Sequence, residues 1–209
     1  VVMEAFHYQY HPLAKRLVEI VQSGELGTIH EIDIRFSAPL AKRGDIRYQL
    51  ALAGGATMDM GCYPVSLLRL LAAGPRVISA KAKLSSPGVD RAMDASFSLP
   101  EGGTARIRCS MFSSSVLRLH LRVTGSEGTL KVFNPFAPHL FHRVRVETAS
   151  GTRREKFSRK ATYDYQLEAF CSAVEDGAHI PTTAMDAIRT MELIDAIYVA
   201  AGLPIRQPS

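Results

Sequence analysis

The sequence predicts an α+β fold: an open, mainly antiparallel sheet with helices packed on one face. Helical spacing of apolar residues is confined to four stretches, two before residue 75 and two after residue 162. Between them, from Val77 to about Phe157, short runs alternate apolar and polar residues, as half-buried strands do. Glycine-bearing segments such as Glu101-Gly102-Gly103 and Gly125-Ser126-Glu127-Gly128 separate these runs as turns.

Taken in order, the β-prone run Val1–Tyr8 reads as a short strand, and His11-Pro12 marks the start of a helix, because proline fits a first helical turn. Leu13, Leu17, Ile20 and Val21 recur at helical spacing, with Gly24 and Gly27 as stops, which predicts a helix over 12–23. Ile32, Ile34 and Phe36 alternate with Glu31, Asp33 and Arg35, so 29–37 is a strand with one buried face. Residues 38–53 read as an irregular polar loop. Gly54-Gly55 then introduces a second helix, carrying Leu67, Leu68, Leu70 and Leu71 up to Gly74-Pro75. Strands follow at 77–84, 92–99, 103–112, 116–124, 128–133 and 140–147, with a weaker one near 153–157. Helices over 163–176 and 183–201 close the chain, split by Asp176-Gly177 and Ile180-Pro181.

With 209 residues, 46% hydrophobic and 22% charged, the chain is long enough for one substantial core. The net charge of +5 is an ordinary surface excess and not in itself a nucleic-acid footprint. No apolar run is long enough to span a bilayer and no signal-peptide pattern opens the chain, so a cytoplasmic protein without a membrane partner is expected. Cys62, Cys109 and Cys171 lack the paired spacing of a zinc site or a redox dithiol and read as reduced, mostly buried thiols. His7 and His11, like His139 and His142, are not expected to form a metal site. The opening Val-Val-Met-Glu-Ala-Phe has no initiator methionine before it and reads as the inside of a longer chain.

Arg106 and Arg108, and likewise Arg118, His120 and Arg122, alternate with apolar neighbours. If these strands adjoin, the face away from the helices carries arginines beside Glu31 and Asp33. Such a face is either solvated or a homodimer interface pairing the arginines with the acidic strand.

The segment richest in chemistry is Gly54-Gly55-Ala56-Thr57-Met58-Asp59-Met60-Gly61-Cys62-Tyr63-Pro64. A double glycine before a helix lets the backbone approach a ligand, which makes Gly55 a candidate substrate contact. Asp59 and Tyr63 are four apart, so a regular helix puts carboxylate and phenol on one face. Pro64 opposes this, since it bends a helix and biases Tyr63 away from helical angles. The plainer alternative is that Asp59 caps a short helix and Tyr63 packs. Arg47, just before the double glycine, and Tyr163, at the start of the penultimate helix, are further candidates for the same cleft.

Residues 54–64 resemble the Gly-Gly-x-x-x-Asp-x-Gly-x-(Tyr/His) stretch of the glucose-fructose oxidoreductase, inositol dehydrogenase and dihydrodiol dehydrogenase family. The segment from Met3-Glu4-Ala5-Phe6 through His11-Pro12 is similar to that family's passage from its nucleotide domain into its second domain. Ser23 to Gly27, Thr124 to Leu130, Tyr165 to Phe170 and Met191 to Gly202 extend the likeness over nearly the whole chain. The resemblance implies that 12–209 are a C-terminal substrate-binding and oligomerisation domain. It makes 1–11 the remnant and linker of an N-terminal Rossmann domain that is absent.

On that resemblance, the intact protein transfers a hydride between NAD or NADP and a hydroxyl or carbonyl carbon of a sugar, polyol or diol. Tyr63 handles the oxygen's proton, Asp59 orients, Arg47, Gly55 and Tyr163 contact substrate, and Glu4 touches the cofactor. A free phenol titrates near 10, so proton exchange near neutral pH needs a nearby cation. In the family, a lysine of a Glu-Lys-Pro motif in the nucleotide domain supplies it. Neither that motif nor G-x-G-x-x-G occurs here, so the 209 residues alone are expected to be inactive. Two alternatives stand beside this reading: a non-catalytic carbohydrate-binding or dimerisation domain, and an anion or nucleic-acid binder working through the arginine face. The lack of aromatics among those arginines counts against the last.

Overall fold

The computed structural model describes residues 1–40, 44–100, 102–112 and 117–207. Its strands are β1 (Ile29–Ser37), β2 (Arg76–Ser86), β3 (Val89–Ser98), β4 (Thr104–Ser110), β5 (Arg118–Gly125), β6 (Gly128–Phe133), β7 (Arg143–Thr148) and β8 (Gly151–Glu155). Its helices are α1 (Pro12–Gln22), α2 (Cys62–Leu71), α3 (Thr162–Asp176) and α4 (Ala184–Ala200). Among the described residues the strands form a single open sheet in the order β2-β3-β4-β1-β5-β6-β7-β8. Every neighbouring pair is antiparallel except β1 and β4.

The period-two pattern sets the two faces. Ile32 and Ile34 of β1, Ala105 and Ile107 of β4, and Leu121 and Val123 of β5 point inward and are buried. Against them pack α1, through Leu13, Leu17 and Ile20, and α2, through Val65, Leu67 and Leu68. Each such side chain removed from water contributes on the order of 2 kcal/mol. His11 caps α1, its Nδ1 accepting from the Leu13 N–H at 3.1 Å, with Pro12 in the first turn. Among the described residues no helix is long and apolar enough to cross a membrane.

Two expectations need correction. Val1–Tyr8 is not a strand: residues 1–6 lack regular structure and His7–Tyr10 form a 3-10 turn. The β-prone side chains find no ladder partner. Instead the Glu4 N–H donates to the Thr182 carbonyl at 2.8 Å, and the Thr182 hydroxyl to the Glu4 carbonyl at 2.9 Å. The cysteines are free, but only Cys109 is buried and Cys171 is exposed. Glu101 and Val116, assigned above to a turn and a strand end, lie outside the described residues.

On the outer face β1 lies between β4 and β5, so the arginines do gather beside Asp33. That carboxylate is engaged within the chain. Arg108 donates to its two oxygens at 2.8 and 2.6 Å, Arg35 Nε lies 3.8 Å away, and His120 Nε2 3.5 Å. Bonds from His120 and Arg108 hold the carboxyl below its usual range although its burial works the other way.

Candidate active site

The segment from Gly54 to Pro64 is shaped by its own interior. A β-carbon at Gly54 would lie 2.7 Å from the carbonyl oxygens of Arg47 and Gln49. Gly55 has φ +144, and a β-carbon there would lie 2.2 Å from Oδ1 of Asp90. Asp90, fully buried at the start of β3, accepts from the Thr57 N–H at 2.8 Å, the Thr57 hydroxyl at 2.7 Å, Tyr198 Oη at 3.1 Å and Arg206 at 3.3 Å. Gly55 therefore seats the start of the helical segment on a buried carboxylate, while Gly54 packs on the backbone of Arg47 and Gln49. Gly55 is not among the residues lining the cleft described next.

From there the chain makes a π-helical turn, Thr57–Gly61, and passes directly into α2 at Cys62. The chain stays helical through Pro64. Its missing N–H falls in the first turn of α2, where a proline is tolerated, and Tyr63 remains helical. The regular four-residue spacing assumed for Asp59 and Tyr63 does not hold through the wider turn. Both side chains nevertheless reach the same place, since they line both of two adjoining cavities of about 380 and 320 Å³.

The larger cavity adds Glu4, Phe6, Met58, Cys62 and Met191. The smaller adds His7, Phe36, Arg47, Met60 and Phe136. Arg47 is held by acids on both sides, with Nε 2.7 Å from Asp59 Oδ1 and Nη1 3.1 Å from Asp45 Oδ1. Asp59 is thus tied to Arg47 and caps no helix. The Tyr63 ring sits in an aromatic cage, with centroids of Phe36, Phe6, Phe136 and Tyr8 at 5.4, 5.5, 6.0 and 6.2 Å. Tyr163 is exposed and lies over His7 at 4.2 Å between ring centroids, so it reaches the cleft through that histidine. Glu4 accepts from the adjacent Ala5 N–H at 3.2 Å at the rim.

Charge in the cleft follows from burial. Tyr63 is pushed up to about 12, chiefly by desolvation and then by its neighbours Cys62, Tyr163, Asp59 and Glu4. It is a neutral phenol at physiological pH, a proton donor and not a base. Burial likewise pushes the Cys62 thiol up to about 12, which keeps it unreactive. His7 is pushed down to about 4, by burial and then by His139, and is neutral. Its Nδ1 is buried without a hydrogen-bond partner.

Of the residues singled out from sequence, Tyr63, Asp59, Arg47 and Glu4 meet at the cleft, Tyr163 flanks it and Gly55 supports it from behind. His7 was considered only as half of a metal pair. It belongs to the cleft, while His11 faces away to cap α1 and contacts the Ser158 carbonyl at 3.0 Å. Among the described residues no group of three or more His, Cys, Asp or Glu converges to hold a metal ion. A polar residue inside the apolar run from Ala5 to Tyr8 was the available signal for His7.

The model of the GFO/IDH/MocA C-terminal domain matches residues 14–131, more than half the chain. D-xylose 1-dehydrogenase (NADP(+)) 2 of Haloferax volcanii is 34% identical over 204 residues, covering 96% of this chain and 62% of that protein. A dTDP-3,4-didehydro-2,6-dideoxy-alpha-D-glucose 3-reductase of Actinomadura kijaniata is 28% identical, covering 96% of this chain and 61% of its own. The chain thus spans about 62% of the length of the first of these relatives. A crystal structure of a 3-ketoreductase from Actinomadura kijaniata with NADP and TDP-benzene superposes with TM-score 0.84 at 25% identity, over 96% of this chain and 62% of that one. Aldose-aldose oxidoreductase from Caulobacter crescentus, complexed with glycerol, gives 0.85 at 21% identity, over the same shares of the two chains, and so speaks for the fold alone. With that family model matching more than half of it, this chain belongs to the GFO/IDH/MocA family, carrying its C-terminal domain.

Proposed function

We propose that this chain is the substrate-side domain of an NAD(P)-dependent oxidoreductase acting on a hydroxyl or carbonyl carbon of a sugar, polyol or diol. One observation carries the reading: Asp59 and Tyr63 line both cavities of one cleft, and burial keeps the phenol protonated. The activities of two relatives, a xylose dehydrogenase and a keto-sugar reductase, support the substrate class.

The larger cavity, with Phe6, Met58, Cys62 and Met191 beside Glu4, fits a flat, largely apolar nicotinamide ring with a polar edge. When bound, that group supplies or accepts the hydride. The work of this chain is on the substrate oxygen. In the reducing direction Tyr63 gives its proton to the carbonyl oxygen as the carbon gains the hydride, and a neutral phenol suits this step. In the oxidising direction the same oxygen must take the proton back. None of the neighbours that shift Tyr63 here lowers its pKa, so the helping cation is assigned to the dinucleotide-binding part. Asp59, clamped by Arg47, accepts a substrate hydroxyl. Neutral His7, its Nδ1 unpartnered, offers a hydrogen-bonding position at the other wall.

The test is nicotinamide reduction by this chain joined to a dinucleotide-binding domain, with NAD and NADP in turn, against a panel of aldoses, polyols and diols. Turnover of at least one class is expected with the joined protein and none with the 209 residues alone. Saturable sugar binding without turnover by the joined protein with either cofactor would instead make this a non-catalytic carbohydrate-binding domain.

A further inference from the structure

His11 and His142 use both ring nitrogens to hold the fold. His11 accepts from the Leu13 N–H at 3.1 Å and meets the Ser158 carbonyl at 3.0 Å. His142 meets the Pro138 carbonyl at 2.8 Å and accepts from the Phe157 N–H at 3.0 Å. His7 is buried as well, yet among the described residues neither of its ring nitrogens has a hydrogen-bond partner within the chain. A polar ring placed this way has given up its bonds to water without replacing them. Packing alone gives no reason for a histidine here, since a phenylalanine would fill the same space.

The two nitrogens of His7 are not equivalent. Nδ1 is sealed inside the protein, and an orphaned N–H there is costlier than an orphaned lone pair. The proton of the neutral ring therefore sits on Nε2. His7 lines the smaller cavity, so Nε2–H is the donor it can turn to a ligand. The sealed Nδ1 also closes the ring as a proton relay, because a proton taken up at Nε2 has nowhere to leave. His7 is thus a fixed, uncharged donor, which suits a hydroxyl oxygen better than an anion.

Its place in the cleft selects the oxygen it meets. Asp59 and Tyr63 line both cavities, Glu4 the larger alone, and His7 and Arg47 the smaller alone. With the nicotinamide assigned to the larger cavity, the reacting carbon lies at the junction with its oxygen on Tyr63, and the rest of the substrate extends into the smaller one. Asp59 takes a neighbouring hydroxyl. His7, its ring centroid 6.4 Å from that of Tyr63, is left for an oxygen further along. Phe36, Met60, Leu119 and Phe136 make much of the remaining wall apolar, and Arg47 is taken by Asp45 and Asp59. We infer that His7 reads a third oxygen of the substrate by donating from Nε2, so that the substrate carries oxygens on at least three carbons, as a sugar or longer polyol does and a simple diol does not. This rests on the oxidoreductase reading and narrows its substrate class.

The test is kcat/KM of the joined protein for an aldopentose, an aldohexose, the monodeoxy derivatives of each and a cyclic vicinal diol, measured in the native form and in His7→Phe and His7→Gln. In the native protein, loss of one particular hydroxyl away from the reacting carbon is expected to lower kcat/KM by about tenfold or more. In His7→Phe that one penalty should shrink to about twofold or less, while the penalties at other positions stay. His7→Gln keeps an N–H at a similar reach and should restore part of the lost penalty. The diol should be the poorest substrate of the native protein. Three results would overturn the inference and leave the oxidoreductase reading standing: the same penalty at every position in the native protein and His7→Phe, a uniform loss at all positions in the variant, or a native preference for the diol. Turnover of no sugar and no diol would overturn that reading, and this inference with it.

Discussion

His7 shows how burial, aided by the neighbouring His139, sets the state of a side chain in the cleft. Only 7% exposed, it is held at about 4 against an ordinary 6.5. The unfolded chain therefore takes up a proton that the folded chain refuses. The stability His7 contributes is whole above pH 6.5, is lost as pH falls toward 4, and is on the order of 3 kcal/mol. His11, buried and also held low, acts in the same direction. Urea unfolding as a function of pH should show a decline over this window in the native chain, and His7→Gln should flatten part of it. An identical decline in the variant would remove His7 from the account. Arg47, which clamps Asp59, is expected on replacement by alanine to raise KM by about tenfold or more in the joined protein, from the lost charge-assisted bonding. That Tyr63, Asp59 and Arg47 share one cleft was suggested by the family resemblance more than by their spacing, which the π-helical turn alters. The role of His7 was not. It depends on residues 7–10 folding as a 3-10 turn where the composition promises a strand, and that outcome was decided by distant Thr182.

At the scale of elements, the piece that positions the site is the turn from Gly54 into α2, and its foundation is a buried ion pair. Asp90 is fully buried and the Arg206 side chain is 4% exposed, its guanidinium over the Tyr198 ring at 4.2 Å and bonded to the Gly88 carbonyl at 2.9 Å. Arg206→Ala leaves the carboxylate without its cation, and a loss of about 3–5 kcal/mol in urea unfolding is expected. Gly55→Ala places a methyl within 2.2 Å of the same carboxylate and is expected to destabilise by more than about 1 kcal/mol. Full stability in both variants would mean that the turn is held by something other than Asp90. The sequence marked the glycines but suggested a ligand as the reason for them. At Gly55 the fold supplies a further reason, a carboxylate 35 positions later, which is a tertiary contact that no local pattern contains. The π-helical turn was hidden for a similar reason, because a change of helical register has no residue signature beyond the proline that follows it.

Across the whole molecule, the alternation of apolar and polar residues located all eight strands to within a few residues, since period-two burial is a local property. The position of β1 between the consecutive strands β4 and β5, parallel to one and antiparallel to the other, was not legible. It rests on pairing between residues far apart in the chain, such as Ile34 with Ile107 and with Leu121, which no local pattern contains. The outer face has a consequence for assembly. With Asp33 and Asp94 already paired within the chain, two copies meeting through this face oppose like charges. Any self-association seen by light scattering should therefore strengthen as salt screens them. Dissociation by salt would point to cross-pairing of arginine and aspartate instead. At the meeting of the two cavities stands the phenol caged by Phe6, Tyr8, Phe36 and Phe136, the proton donor of the proposed reaction. Steady-state kinetics of Tyr63→Phe in the joined protein tests it most directly. A fall in kcat of about a hundredfold or more with KM nearly unchanged is predicted, the loss of a proton donor and not of a binding contact. A variant that keeps kcat within a few-fold of the native value would show that the substrate proton travels by another group.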